Sequence, residues 1–411
     1  MHQLATALAV VGTLGLVTPA GADTVTIDQA LDRAAHRPTV ELSRLDVDVA
    51  RANARGAALP LYNPDVSASA GPQFGAGNLA VQIQVGVAQT VELGGKRHAR
   101  VQLADSQAHG SEIASRGEQL RARVDAWRAY ERALVMRDRL ETHKQVETLA
   151  LALVAAMQKT AAAGGTTKLR VNLVIADAGR ATQERVAAEA DYATARAQLA
   201  TAIGAGAGEA VEPAGTVADL PAMSGRVDDL VARALRDNPD VLASDNQVAI
   251  AQAAIGDADA RGTPDVTLGV AYAYAPDPEG ANAVLGTVSI PLAIRNRNQG
   301  ARAATRIGAK RAELERSYLR TEVERAVRLA ADNYEHARAA VAGFDREVTG
   351  KLNENLAAAQ DAFSKGGLDF VELTTTQREL IASRVAFLDA QLAAIDAWAQ
   401  LALATGMEVR P

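Results

Sequence analysis

The 411-residue sequence contains no cysteine. That excludes disulfides, thiolate metal ligands, thiol nucleophiles and a lipid anchor on an N-terminal cysteine. Aromatic residues are scarce, at 3% against 48% apolar overall, so most of the interior must be alanine, valine and leucine, which suit closely packed helices. A basic excess is missing too. With a net charge of -6 the chain does not look like a nucleic-acid binder, and no nucleic-acid partner is expected. Beyond the N-terminus no run is apolar enough to span a membrane as a helix, so any membrane attachment must come from the fold. The six histidines, at 2, 36, 98, 109, 143 and 336, form no metal-type cluster, and there is no phosphate loop. An enzyme is not expected, and neither catalytic residues, metal ligands nor a cofactor are assigned.

What is present begins with "MHQLATALAVVGTLGLVTPAGADTV", an apolar core from Leu4 to Val17 before a small-x-small site at Ala20, Gly21 and Ala22. It predicts a signal peptide over 1–22, and hence export. Its n-region holds only His2, with no Lys or Arg.

Proline is absent from residues 73–212 and 292–410. Because a helix interior tolerates proline badly, two very long helical regions follow. The halves match in order: "AAHRP" with "LRDNP", "NPDVSASAG" with "TPDVTLGVA", "ELGGKR" with "PLAIRNR", and "AAGGTTKLRV" with "SKGGLDFVEL". Four landmarks keep offsets of 199–202 residues, which is a tandem duplication. The first repeat covers 23–203, a linker 204–225, the second repeat 226–405, and a tail 406–411. Each repeat predicts a first helix (Ile27 to Ala58; Arg226 to Arg261), two strands, a long helix ending at Gly-Gly, and a return helix (Lys168 to Ile203; Phe370 to Thr405). The second long helix has a buried stripe from Leu319 through Val323, Ala326, Ala330, Tyr334 and Leu356 to Phe363 in steps of three and four. A helix of about sixty-five residues, as each long helix is predicted to be, reaches about 100 Å.

Strands are expected at about 65–71 and 79–92, and at about 265–275 and 283–291. Leu79, Val81, Ile83, Val85 and Val87 alternate with Gln82, Gln84, Gly86 and Ala88; Val266, Leu268, Val270, Tyr272 and Tyr274 alternate with Thr267, Gly269, Ala271 and Ala273. Alternation alone also suits hairpins packed on a soluble core. Strand length, the apolar face and export favour membrane strands instead. Four strands cannot close a barrel, and lipid does not tolerate open edges. Copies must share one barrel, and three would supply twelve strands.

These features, with "FVELTTTQREL" at 370–380, resemble the TolC-like outer-membrane efflux proteins over nearly the whole mature chain; "QTVELGGKR" and "IPLAIRNRNQG" look most like the heavy-metal (CzcC-like) subgroup. The resemblance implies a mainly α fold with a small β part: duplicated long-helix hairpins forming a trimeric tunnel, with a shared twelve-stranded barrel in the outer membrane and a large periplasmic part. It implies a homotrimer working as the exit duct of a tripartite pump, with a periplasmic adaptor, an inner-membrane pump of RND type and outer-membrane lipid as partners. Heavy-metal cations are the implied cargo; a type I secretion or drug-efflux duct, and a periplasmic coiled-coil adaptor, stay open as alternatives.

Family correspondence places Glu372 in an acidic aperture ring; the second ring position falls on Thr375, Asp369 lies one turn earlier, and Arg170 stands at the first-half equivalent. Glu372 and Asp369 also read as solvated acids at a helix N-terminus. Gly164, Gly165, Thr166, Gly366, Gly367 and Leu368 would form helix turns that dock the adaptor. Lys96, Arg97, Arg100, Arg295, Arg297 and Arg302 would lie at the inner membrane rim, where long basic side chains reach lipid phosphates; they also read as residues that merely solvate a helix start.

Overall fold

The computed structural model describes residues 23–75, 78–223, 225–275, 281–344 and 351–408. The expected signal segment lies outside them. In chain order the elements are β1 (Asp23–Val25), α1 (Ile27–Ala35), α2 (Pro38–Ala57), β2 (Asp65–Gly75), β3 (Asn78–Val91), α3 (Lys96–Ala162) and α4 (Lys168–Ala202), then β4 (Val211–Pro213), α5 (Val227–Asp237), α6 (Pro239–Ala260), β5 (Val266–Ala275), β6 (Ala281–Ser289), α7 (Gln299–Ala342), α8 (Leu352–Ser364) and α9 (Phe370–Thr405). The two repeats follow one plan, as the sequence predicts.

Two predictions need correction. The single first helix of each repeat is a pair, divided at His36–Arg37 and at Asn238. Pro38 and Pro239 sit in the first turn of the second member, where a missing N–H costs nothing but the ring bars the preceding turn. The long helix of the second repeat is also interrupted. Whereas α3 runs unbroken for 67 residues, α7 ends at Ala342 with Gly343 as its C-cap, and α8 starts at Leu352. Glycine's lack of helix propensity marks the break. The expected stripe otherwise holds: Val323, Ala330, Tyr334, Leu352, Leu356 and Ala359 are buried. Val327 is buried where Ala326 was expected, since Ala326 faces out.

Helices α2, α3, α6 and α7 pack side by side in that order, with α4 along α3 and α9 bridging α3, α7 and α8. One sheet has the same lateral logic, β2-β3-β5-β6, with every pair antiparallel. The central β3–β5 pair joins the halves, so the edges are β2 from the first repeat and β6 from the second.

Where the sequence offers only a linker, β4 pairs in parallel with β1, Thr24 opposite Glu212. Three-residue strands carry no periodic signal, so this sheet is not legible in advance. It caps the main core, in which Val25, Trp127, Tyr130, Leu134, Leu199, Val211, Leu388 and Ile395 meet. The linker is strapped to α3 through side chains. Tyr130 donates its hydroxyl to the Ala214 carbonyl, Arg137 donates to the carbonyls of Pro213 and Gly215, and Glu131 accepts the Ala218 N–H at 3.0 Å. Burial pushes Glu131 above the ordinary carboxylate range, against the pull of that N–H. A second cluster around Leu230, Val327, Tyr334 and Leu401 holds α5 against α7 and α9. Tyr334 lies 5.0 Å from Trp398, ring to ring, and donates to the Pro221 carbonyl at 2.5 Å. Both tryptophans, with Tyr130, Tyr192 and Tyr334, belong to these two clusters.

Candidate functional site: sheet, junction and helix tips

The four-stranded sheet is inside out by the standard of a soluble protein. In register, Val66, Val87 and Val270 form one row and Ala68, Val85, Tyr272 and Val284 the next, all on one face. Their large apolar members are exposed: Val66 75%, Val85 48%, Val270 61% and Val284 72%. The opposite face carries Ser67, Ser69, Gln84, Gly86, Ala88, Thr90, Thr267, Gly269, Ala271 and Thr287, nearly all small or polar. Crowding explains its glycines. A Cβ on Gly269 would meet the Thr287 hydroxyl at 2.5 Å, and one on Gly86 would meet the Ala271 methyl at 3.1 Å. Apolar outside and small-polar inside is the pattern of a membrane barrel wall.

At the base of this wall the chain turns into α3 through Gly94 and Gly95, both left-handed at φ 70° and 72°. Only glycine reaches that region without steric cost. In the second repeat Asn298, at φ 60°, caps α7 as Gly95 caps α3, and its side-chain amide donates to the Ala258 carbonyl at 2.8 Å. Asn and Gly share this tolerance, which accounts for the Arg-Asn run in "PLAIRNRNQG".

The junction is tied by ions. Lys96 donates to Asp265 at 2.7 Å, and Asp265 also accepts from the Leu93 N–H and the Tyr62 hydroxyl, each at 3.1 Å. Burial would raise the Asp265 carboxyl, but these three donors outweigh it and hold it below its ordinary range. Arg100 grips Glu92 at 2.5 Å and the carbonyls of Ala57 and Leu59 at 3.0 Å. The Arg100 guanidinium holds the Glu92 carboxyl low. Arg302 pairs with Asp259. Of the six basic residues predicted at the rim, Lys96, Arg100 and Arg302 therefore face carboxylates of this chain, while Arg97, Arg295 and Arg297 are exposed. The carboxylates were missed: Asp265 stands in the repeated "PDV" motif, but nothing in one sequence says what it pairs with.

At the far end the two helix turns are built alike. After α3, the Gly165 N–H donates to the Thr160 carbonyl and Gly164 to Ala161, with Gly164 at φ 77°; after α8, Gly367 donates to Ala362 and Gly366 to Phe363, with Gly366 at φ 76°. This is the glycine C-cap that closes a helix with paired reverse hydrogen bonds. The return helices then start on Thr167 and Asp369. Asp369 accepts from the Glu372 N–H and Glu372 accepts from the Asp369 N–H, both at 2.8 Å. This reciprocal box is incomplete in the first repeat, where Arg170 has no acceptor to return. Both acids are exposed in the single chain, and Thr166 buries its hydroxyl oxygen without a partner. The tips are joined: Arg378 on α9 reaches Asp177 on α4 at 2.8 Å. Higher up, Arg139 on α3 reaches Asp389 at 2.8 Å and Arg128 reaches Asp396 at 2.6 Å.

A family model described as Outer membrane efflux protein matches residues 27–205 and 230–407. The cobalt-zinc-cadmium resistance protein CzcC of Cupriavidus metallidurans is 25% identical over 298 residues, 72% of this chain and 71% of that protein. Among solved structures, a membrane protein from Pseudomonas aeruginosa is 20% identical at a TM-score of 0.75, covering 93% of this chain and 90% of that one. CusC, described in connection with transmembrane channel formation, is 16% identical at a TM-score of 0.74, covering 92% and 91%. At these identities the two structures speak for the fold alone.

Proposed function

Because the chain belongs to the outer membrane efflux protein family, we propose that three copies assemble into the passive exit duct of a pump that spans the envelope. The observation that carries this reading is the inside-out sheet with two open edges. Its strands alternate in direction from β2 to β6, so β6 of one copy can pair antiparallel with β2 of the next. Repeating the step three times closes a barrel of twelve strands and removes every edge, within the size range of such barrels. The helices support the same closure: α2 and α7 are the outer members of their row, and α2 leaves Leu42, Leu45 and Val49 exposed on one side. Ile307, Leu314 and Tyr318 are exposed on α7, giving the neighbouring copy an apolar stripe to cover.

On this reading the helices form a periplasmic tunnel, and the glycine turns at 164–165 and 366–367, with Thr166 and Leu368, meet an adaptor that connects to an inner-membrane pump. Arg97, Arg295 and Arg297 face lipid phosphates at the inner rim. Asp369 and Glu372, repeated by symmetry, place carboxylates around the narrow end, where a poorly screened pore favours cations. Divalent metal cations are the proposed cargo, supported by the likeness to CzcC. The test is reconstitution of the purified protein in a planar bilayer. Stepwise ionic conductance is expected; a bilayer that stays silent under all conditions of pH and voltage would contradict the duct.

A further inference from the structure

Between the two helix hairpins lies a cavity of about 540 Å³, floored by α3 and α4 and closed on one side by α9. The volume is in the range of sites that hold small molecules. Its walls are mostly aliphatic, among them Val146, Leu153, Val174 and Ile381. Among the polar groups of the lining, His143 is both buried and short of a partner. His143 is 8% exposed, and its Nδ1 has no hydrogen-bond partner. The nearest carboxylate, Glu184, is 3.7 Å away, beyond a good hydrogen bond. Burial pushes the imidazole below its ordinary value, against the pull of Glu184. A buried polar atom without a partner costs free energy that a ligand can recover.

We propose that this cavity binds a small, uncharged, largely apolar molecule bearing a hydroxyl group that bonds to His143 Nδ1. A hydroxyl suits the site because it can donate to an unprotonated Nδ1 or accept from a protonated one. A charged group does not. At the mouth Asp177 pairs with Arg180 and Arg378, Glu184 with Arg180 and Arg139 with Asp389, all of them partly exposed to water. A charged group set against the aliphatic walls beside His143 would lose its hydration without gaining a buried counter-charge. The occupant touches α3, α4 and α9 together, so binding stabilises the packing of one hairpin on the other by linkage. The site lies between the helices that the proposed duct uses as its wall, but ligand binding there does not require conductance.

The test titrates the detergent-solubilised full chain with 2-naphthol, and with 2-methylnaphthalene, which has the same shape and no hydroxyl, by calorimetry in matched detergent. One saturable 2-naphthol site per chain is expected, with the methyl compound about five- to tenfold weaker, the value of one neutral hydrogen bond. His143→Leu should remove that preference while keeping apolar binding. Ala150→Phe, which fills the cavity from its half-buried wall, should weaken both ligands and does not depend on the histidine variant folding. No saturable binding, equal affinity for the two ligands, a preference that survives His143→Leu, or binding untouched by Ala150→Phe would each overturn the proposal.

Discussion

The Lys96 ammonium lies 2.7 Å from the Asp265 carboxylate, with side chains 14% and 12% exposed, and this contact ties the start of the first long helix to the start of the second repeat's first strand. Barrel and tunnel are joined by residues from both halves of the duplication. Asp65, the first-repeat counterpart of Asp265, instead lies exposed at the sheet's edge strand. The duplicated halves have therefore taken different parts at the junction.

Removing that carboxylate should loosen the junction. Asp265→Ala strands Lys96, the Leu93 N–H and the Tyr62 hydroxyl, and should cost about 2–4 kcal/mol, read as a fall in the thermal midpoint. The sign of the pH effect follows from the lowered carboxyl. Its contribution is full above the unfolded value of about 3.9 and is lost as pH falls through the lower folded value. Wild type should lose stability more steeply than Asp265→Asn below about pH 4.

Gly94 and Gly95 separate two causes of cost. Alanine at either position meets a left-handed backbone, worth about 1 kcal/mol. Only at Gly94 does the added Cβ also fall 2.6 Å from Thr263. Gly94→Ala should therefore be more destabilising than Gly95→Ala in urea or heat, and Thr263→Gly should bring the two closer together.

The two faces of the sheet should respond oppositely to charge. Val85→Arg places a cation on the outer face and should cost about 2–4 kcal/mol near the middle of the bilayer. Gln84→Arg, one residue away on the inner face, should assemble normally and change conductance. Heat-resistant oligomer on gels and single-channel current check the two outcomes.

Glu372 is both a cap and a candidate pore charge, and the roles can be parted. Glutamine preserves the acceptor that the Asp369 N–H needs, so Glu372→Gln should leave stability within about 0.5 kcal/mol of wild type. If the carboxylate lines the narrow end, cation selectivity measured by reversal potential should fall. Unchanged selectivity would leave Glu372 a cap and nothing more.

The large-scale plan was legible because it rests on coarse physics. Proline deserts gave the long helices, two-residue alternation gave β3 and β5, and four matched landmarks gave the duplication. Glycine pairs foretell both tip turns. Less was legible where the deciding interaction is between residues far apart in the chain. In the sequence Lys96 and Arg100 read as lipid-facing rim residues; the fold sets them against Asp265 and Glu92. The β1–β4 pair is too short for any pattern, and Pro38 and Pro239 each begin a second helix where the pattern predicts one.

The central claim is that this chain closes a barrel with its neighbours, β6 of one copy against β2 of the next. The absence of cysteine makes the measurement clean. A panel of chains with one cysteine on β2, at Val66, Ala68 or Ala70, and one on β6, at Val284, Gly286 or Val288, is expressed and oxidised in outer membranes. The account predicts that at least one combination gives covalent trimers on denaturing gels, reversible by reductant. Full oxidation to intramolecular monomers, or no cross-link in any combination, would contradict it.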